Sequence, residues 1–148
     1  MKKITAASLI IAVLSIALSL MIYFQNKNSA KTITVAGVIR SADENGWYVI
    51  NNDGHKPLNI AKVEVKNGLI VVNYTFKASA IHTFMVTPDE TFARAGYFVG
   101  ASVGLSAATI SVSQVVDGKV AAVDASTIRS KLGNFWIYGL FEIEESSE

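Results

Sequence analysis

The chain contains no cysteine. A disulfide framework is therefore excluded, as is a lipid anchor carried on a thiol after the leader, and any zinc site would have to form without thiolates. Histidine is almost as scarce: His55 and His82 are the only two, and they lack H-x-x-x-H spacing. Charged residues make up only 17% of the chain, with the basic ones scattered singly. Nucleic-acid binding needs a basic stripe to displace counterions, and none is present. There is no D-x-D-x-D-G calcium loop either, and no cofactor is implied.

What the chain does have is one long uncharged run, Ile4 to Phe24, reading ITAASLIIAVLSIALSLMIYF. As a helix rising about 1.5 Å per residue it would span about 30 Å, the hydrocarbon thickness of a bilayer. Its few hydroxyls, on Thr5, Ser8, Ser15 and Ser19, can bond back to their own helical turn, and Tyr23 near one end suits a headgroup layer. Lys2 and Lys3 supply the basic start of an export signal, but the apolar core is longer than the 7–15 residues or so of a cleavable one. At the nearest exit, Asn28-Ser29-Ala30, only one of the two required positions holds a small residue. The expectation is an uncleaved signal anchor over 1–24 and a polar spacer over 25–31, with secretion after cleavage as the alternative. Lys2, Lys3 and the amino terminus outweigh Lys27 and Lys31 by one charge, which favours a single pass with the C-terminal domain outside.

Beyond residue 30 lie 118 residues, enough for one domain with a real core. They hold all 12 acidic residues and ten of the 13 basic ones, a formal net charge of −2. An exported domain of this size without disulfides fits a bacterial cell surface, particularly a Gram-positive one, better than a eukaryotic one.

Past the spacer the periodicity changes from helical to two. Ile33, Val35 and Val38–Ile39 begin a strand that Gly37 is expected to break. Ser41 to Gly46 reads as a turn, Trp47–Ile50 as a short strand, and Asn51-Asn52-Asp53-Gly54 as its stop. Ile60–Lys66 and Leu69–Lys77 flank Asn67-Gly68, the signature of a hairpin with a type I′ turn. Ala80–Val86 is a further strand. Thr87-Pro88-Asp89-Glu90 then reads as a helix start, with Thr87 as cap, Pro88 in the first turn, Glu90 completing a capping box, and a helix over 88–95 stopped by Gly96. Thr109–Gln114 alternates, Asp117-Gly118 marks a second hairpin into Lys119–Val123, and Phe135–Ile143 is the last strand before an acidic tail over 144–148. Short strands with turn signals every 8–12 residues or so predict one all-β domain over 32–143, an antiparallel β-sandwich or jelly roll with one short helix, preceded by a transmembrane helix.

Catalytic patterns are thin. Gly100-Ala101-Ser102-Val103-Gly104 matches the nucleophile elbow G-x-S-x-G, but both histidines precede Ser102 and no long helix follows. A tight glycine-rich loop between strands is the simpler reading. Period two places His82 on a face with Ala80, Phe84 and Val86, as a partly buried residue, and His55 lies in a loop beside Asp53. Asp53, Asp89, Glu90, Asp117 and Asp124 fall at turns and at the helix start, where carboxylates cap and terminate. The aromatics are more suggestive. Trp47 and Tyr48 share one strand, and in the last strand Phe135 and Ile137 take one face while Trp136 and Tyr138 take the other. Trp47, Tyr48, Trp136 and Tyr138 are thus the candidate ligand contacts, offering a stacking surface for sugars or an apolar patch for a protein.

Three stretches together resemble small β modules of phage and prophage proteins from Gram-positive bacteria. They are Trp47–His55 with Pro57–Ile60, Pro88–Glu90 through Gly96 to Gly100–Leu105, and Gly133–Gly139. The resemblance covers about residues 45–140 and brings no catalytic residues with it. It implies a prophage-encoded surface protein of the host cell, although the N-terminal apolar segment departs from a virion component.

The sequence thus leads to a non-catalytic, membrane-anchored extracytoplasmic binding protein. Its expected partners are the membrane, through Ile4–Phe24, and cell-wall glycan or a surface or phage protein. An immunity or superinfection-exclusion protein acting at the membrane is the alternative, and a small cell-wall hydrolase using a carboxylate pair is the weaker third reading. Fractionation tests the address: the full-length mass should be recovered with the membranes, and a soluble product beginning near Lys31 would show that the segment is a cleaved signal.

Overall fold

The structure is a computed structural model that describes residues 15–16, 18–21, 30–42, 46–128 and 133–144. The chain divides into two units, Met1–Lys31 with Glu144–Glu148, and Thr32–Ile143. In the first unit the described residues Ser15, Ile16 and Leu18–Met21 are helical, and Ser19 Oγ donates to the Ser15 carbonyl at 2.8 Å, the back-bonding anticipated for hydroxyls there. Among the described residues no helix is long and apolar enough to cross a membrane. Most of Ile4–Phe24, the turn at 43–45 and the tail at 145–148 lie outside them.

The second unit is all-β, as the periodicity predicts. Among the described residues nine strands form: β1 (Lys31–Ala42), β2 (Gly46–Val49), β3 (Ile60–Lys66), β4 (Leu69–Tyr74), β5 (Ala80–Pro88), β6 (Tyr97–Val103), β7 (Ala107–Val116), β8 (Lys119–Val123) and β9 (Asn134–Ile143). One sheet has the order β2-β1-β9-β5; the other runs β3-β4-β7-β6, with β8 also on β7. Pairings β1–β2, β3–β4, β4–β7, β5–β9, β6–β7 and β7–β8 are antiparallel. The two hairpins form where Asn67-Gly68 and Asp117-Gly118 place them, with φ of 53° and 75°, and 52° and 75°. Those left-handed values are what a type I′ turn requires.

The sheets face each other across a single core. Val35, Ile39, Phe135, Ile137 and Phe141 enter from one sheet, and Ile70, Val72, Ala108, Ile110 and Val112 from the other. β9 spans this core lengthwise and carries an aromatic cluster at each end. Phe135 packs with Trp47 and Phe92, and Phe141 with Tyr74, Phe76 and Phe84. Truncating either phenylalanine to alanine removes about 3–5 kcal/mol of packing by the usual scale of buried aromatics. Burial also raises the Tyr74 phenol well above its ordinary range, and among the described residues its hydroxyl has no hydrogen-bond partner.

β1 runs through Gly37 rather than breaking there. A Cβ at Gly37 would lie 2.6 Å from Ile60 Cδ1 and 3.2 Å from Val49 Cγ2, so the glycine admits packed neighbours instead of ending the strand. The stretch Gly100–Val103 is the body of strand β6, not a loop; Tyr97, Val99 and Val103 pack toward the core while Phe98 and Ser102 face solvent. His82 is exposed rather than partly buried. It sits at a register shift between Ile81 and Thr83 that breaks the alternation, and its Nε2 lies 3.3 Å from Glu142 Oε2.

The helix is shorter than the expected 88–95 and starts differently. It spans only Glu90–Arg94, and Asp89, not Thr87, is its cap: Phe92 N donates to Asp89 Oδ1 at 2.8 Å. Thr87 and Pro88 instead finish β5, paired with Trp136 and Phe135. The other carboxylate oxygen of Asp89 accepts from Asn134 N at 2.7 Å, and Asp89 N donates to the Asn134 carbonyl at 2.8 Å. Gly133, at φ 89°, lies against this carboxylate where any Cβ would collide with it. One aspartate therefore caps the helix and fastens the first residue of β9. Glu90 pairs with Arg94 on the exposed side of the helix.

Loss of this clasp should be visible in stability. Asp89→Ala is expected to lower the unfolding free energy by about 2–3 kcal/mol, since it removes a cap and a charge-assisted bond. Glu90→Ala, which breaks only an exposed pair, should change it by less than about 1 kcal/mol. Urea unfolding of the two variants checks this; equal effects would remove Asp89 from its role.

Candidate functional site

Alternation along β9 places Phe135, Ile137 and Phe141 in the core and turns Trp136 and Tyr138 outward, where they are 47% and 42% exposed. Pairing with β5 sets Thr87 beside Trp136 and Met85, which is also exposed, beside Tyr138. On the other flank, Arg40 of β1 pairs with Tyr48 of β2, and Arg40 Nε donates to Asn134 Oδ1 at 2.6 Å. Tyr48, Arg40, Trp136, Tyr138 and Met85 therefore share the outer face of one sheet.

The segment between β2 and β3 folds over part of that face. Its ends are fixed by backbone bonds. Ile50 N donates to the Val38 carbonyl at 2.8 Å, and Ala36 and Leu58 exchange bonds of 3.1 and 2.8 Å. The tip is closed by reciprocal bonds between Asn52 and His55, with Gly54 N donating to Asn52 Oδ1 at 3.1 Å. Asn59 holds the exit, donating through Nδ2 to the Thr34 carbonyl at 2.8 Å. The result is a braced loop that presents His55 to Trp136, their ring centroids 5.5 Å apart and inclined at 49°.

Between loop and strand lies an open cleft of about 340 Å³. Ala36, Gly37 and Val38 line it with the His55 and Lys56 segment, and Trp136 and Tyr138 with them from β9. Its size is at the lower end of ligand pockets, which run about 300–1,000 Å³. The chemistry is an aromatic platform with polar tips: an indole and a phenol for stacking, and the Tyr138 hydroxyl, the His55 ring and the Lys56 ammonium for hydrogen bonds. The residues lining it include no carboxylate, and among the described residues no group of His, Cys, Asp and Glu could hold a metal ion.

The four candidate contacts separate accordingly. Trp136 and Tyr138 wall the cleft, and Tyr48 stands on the same face across β1. Trp47 does not belong with them: it is 3% exposed and its Nε1 donates to the Ala125 carbonyl at 2.9 Å. Its neighbour in the strand is the one turned outward. His55, Lys56 and Met85 were not singled out as contacts by the sequence; His55 and Lys56 reach the site only through the loop's return onto β1, a long-range arrangement with no local signal. Ser102 lies on β6 opposite Thr109, and among the described residues no histidine bonds it. Comparison with protein-family models, curated proteins and solved structures returned no match.

The two tryptophans make the geometry easy to check. Iodide should quench the fluorescence of Trp136 and leave that of Trp47 largely intact, so Trp136→Phe should give a blue-shifted emission that iodide barely affects. A Trp136→Phe protein still strongly quenched would place Trp47 at the surface.

Proposed function

We propose that the chain is a non-catalytic binding protein whose β domain takes a saccharide of the cell-wall glycan on the Trp136–Tyr138 face. The observation that carries this reading is the cleft itself, with two outward aromatic rings from one strand, faced by an imidazole on a braced loop. The apolar C–H face of a sugar ring stacks on an aromatic surface, and the hydroxyls at its rim suit the Tyr138, His55 and Lys56 donors. A rigid scaffold beneath the platform supports it, because little side-chain freedom is lost on binding.

The address completes the proposal. Ile4–Phe24 is read as a signal anchor and the β domain as extracytoplasmic, in a cell whose wall lies within reach of a membrane tether. The resemblance to prophage modules fits a surface protein made by the host cell. An immunity or superinfection-exclusion role would place a protein partner on the same face in place of glycan, with the exposed Met85 and Tyr48 extending the contact.

Pull-down on purified wall glycan tests the reading. The full chain in mild detergent should be retained on peptidoglycan at moderate salt, and Trp136→Ala should weaken retention by about tenfold or more, the scale of losing a central aromatic anchor. No retention of the unaltered chain at low or moderate salt would defeat glycan binding. Protection of a sensitive host against phage or bacteriocin would then favour the alternative.

A further inference from the structure

The strands at the margins of the two sheets are protected very unequally. A sheet edge exposes unpaired N–H and C=O groups, and monomeric proteins blunt it by shortness, charge, proline or a bulge. β2 has four residues and β8 has five, with Lys119 at its start. β3 carries Lys62, Glu64 and Lys66 and a register shift between Ile60 and Lys62. β5 has its own shift at His82 and ends in Pro88. β6 has none of these devices: Tyr97–Val103 is seven residues long, without charge or proline, and pairs with β7 in unbroken register. Among the described strands it is the one long, unguarded edge.

Its hydrogen-bonding direction follows from the turn. Gly104 N donates to the Ala107 carbonyl at 2.8 Å, so in the alternating antiparallel pattern Ser102, Gly100 and Phe98 bond toward β7. The N–H and C=O groups of Tyr97, Val99, Ala101 and Val103 consequently point to the open side. We propose that β6 pairs antiparallel with β6 of a second copy of this chain about a two-fold axis at Gly100, joining two five-stranded sheets into one.

The sequence of the strand is complementary to itself in that register. Tyr97 faces Val103, Phe98 faces Ser102 and Val99 faces Ala101, so each cross-strand pair sets a larger side chain against a smaller one. The four outward-bonding residues are the ones that meet as hydrogen-bonded pairs, Tyr97 with Val103 and Val99 with Ala101, which satisfies the edge on both copies. Gly100 meets Gly100 at the axis, as a non-hydrogen-bonded pair. The partner's Phe98 stands diagonal to Gly100, where the missing side chain leaves space for an aromatic ring to cover the glycine. On this face a cleft of about 300 Å³ runs from Phe98 over Gly100 to Val115 and Val120, apolar and open. Phe98 is 55% exposed in one copy and would be covered in the pair.

The chain has no cysteine, so single introduced thiols report the contact cleanly. Gly100→Cys in the full chain, oxidised mildly in membranes, should give a disulfide-linked dimer, because the two axial positions meet directly. Val120→Cys is a control, being 74% exposed but away from the axis, and should cross-link at least tenfold more slowly. Adding Ala101→Lys, an exposed position, puts a charge on the edge and should abolish the cross-link. A Cβ at Gly100 would lie 3.1 Å from Ser111 Oγ, so a measurement without that variant stands beside it. Sedimentation of the cysteine-free chain in detergent should show a dimer, and Ala101→Lys alone should weaken it at least tenfold. Equal cross-linking at Gly100 and Val120, a dimer indifferent to Ala101→Lys, or a monomer throughout, including one whose edge takes a strand from a different protein, would overturn the proposal.

Discussion

The register of β9 is the constraint on which the rest of the domain depends, and it is set at the strand's first residue. Asn134 is held three ways: its N–H by the Asp89 carboxylate, its carbonyl by Asp89 N, and its side-chain oxygen by Arg40. Because side chains alternate with a period of two, a slip of one residue would send Trp136 and Tyr138 into the core and Phe135 and Phe141 to solvent. Two aromatic clusters, one at each end of the strand, oppose that slip by several kcal/mol per ring by the usual scale for buried aromatics. The clasp gives direction to what the clusters give in energy. The outward aromatic face is therefore a consequence of the packing of the inward one.

Much of this was legible in the residues. Asn67-Gly68 and Asp117-Gly118 specify their turns through backbone conformations few other residues adopt, and both hairpins follow. FWIYGLF alternates cleanly enough to assign its two faces without coordinates. The failures have physical causes too. Trp47 and Tyr48 are adjacent, so one had to be buried, and nothing local says which; the Ala125 carbonyl that accepts the indole N–H lies 78 residues away. Gly37 reads as a breaker because its close neighbours, Ile60 and Val49, arrive from other strands. Gly100 and Gly104 disguised β6 as a loop, and the bulge at His82 reversed an alternation that was otherwise sound. Asp89 displaced Thr87 as the cap because it satisfies the helix and β9 together, which no helix-start pattern includes.

The proposed function joins a location read from Ile4–Phe24 to a face formed by β9 and the β2–β3 loop. The two are physically compatible, since a tethered module samples a small volume and a shallow aromatic platform of modest affinity suffices there. Pairing through β6 would present two such platforms from one assembly, and a polymer with repeating units would then gain from both.

The most direct test follows the two indole N–H resonances during a titration with solubilised wall-glycan fragments. Trp136 lines the cleft and Trp47 is sealed in the core, donating to Ala125. The Trp136 resonance should move progressively with added glycan while that of Trp47 stays in place. A Trp136 resonance unmoved at saturating glycan, or equal movement of both, would contradict glycan binding at the cleft.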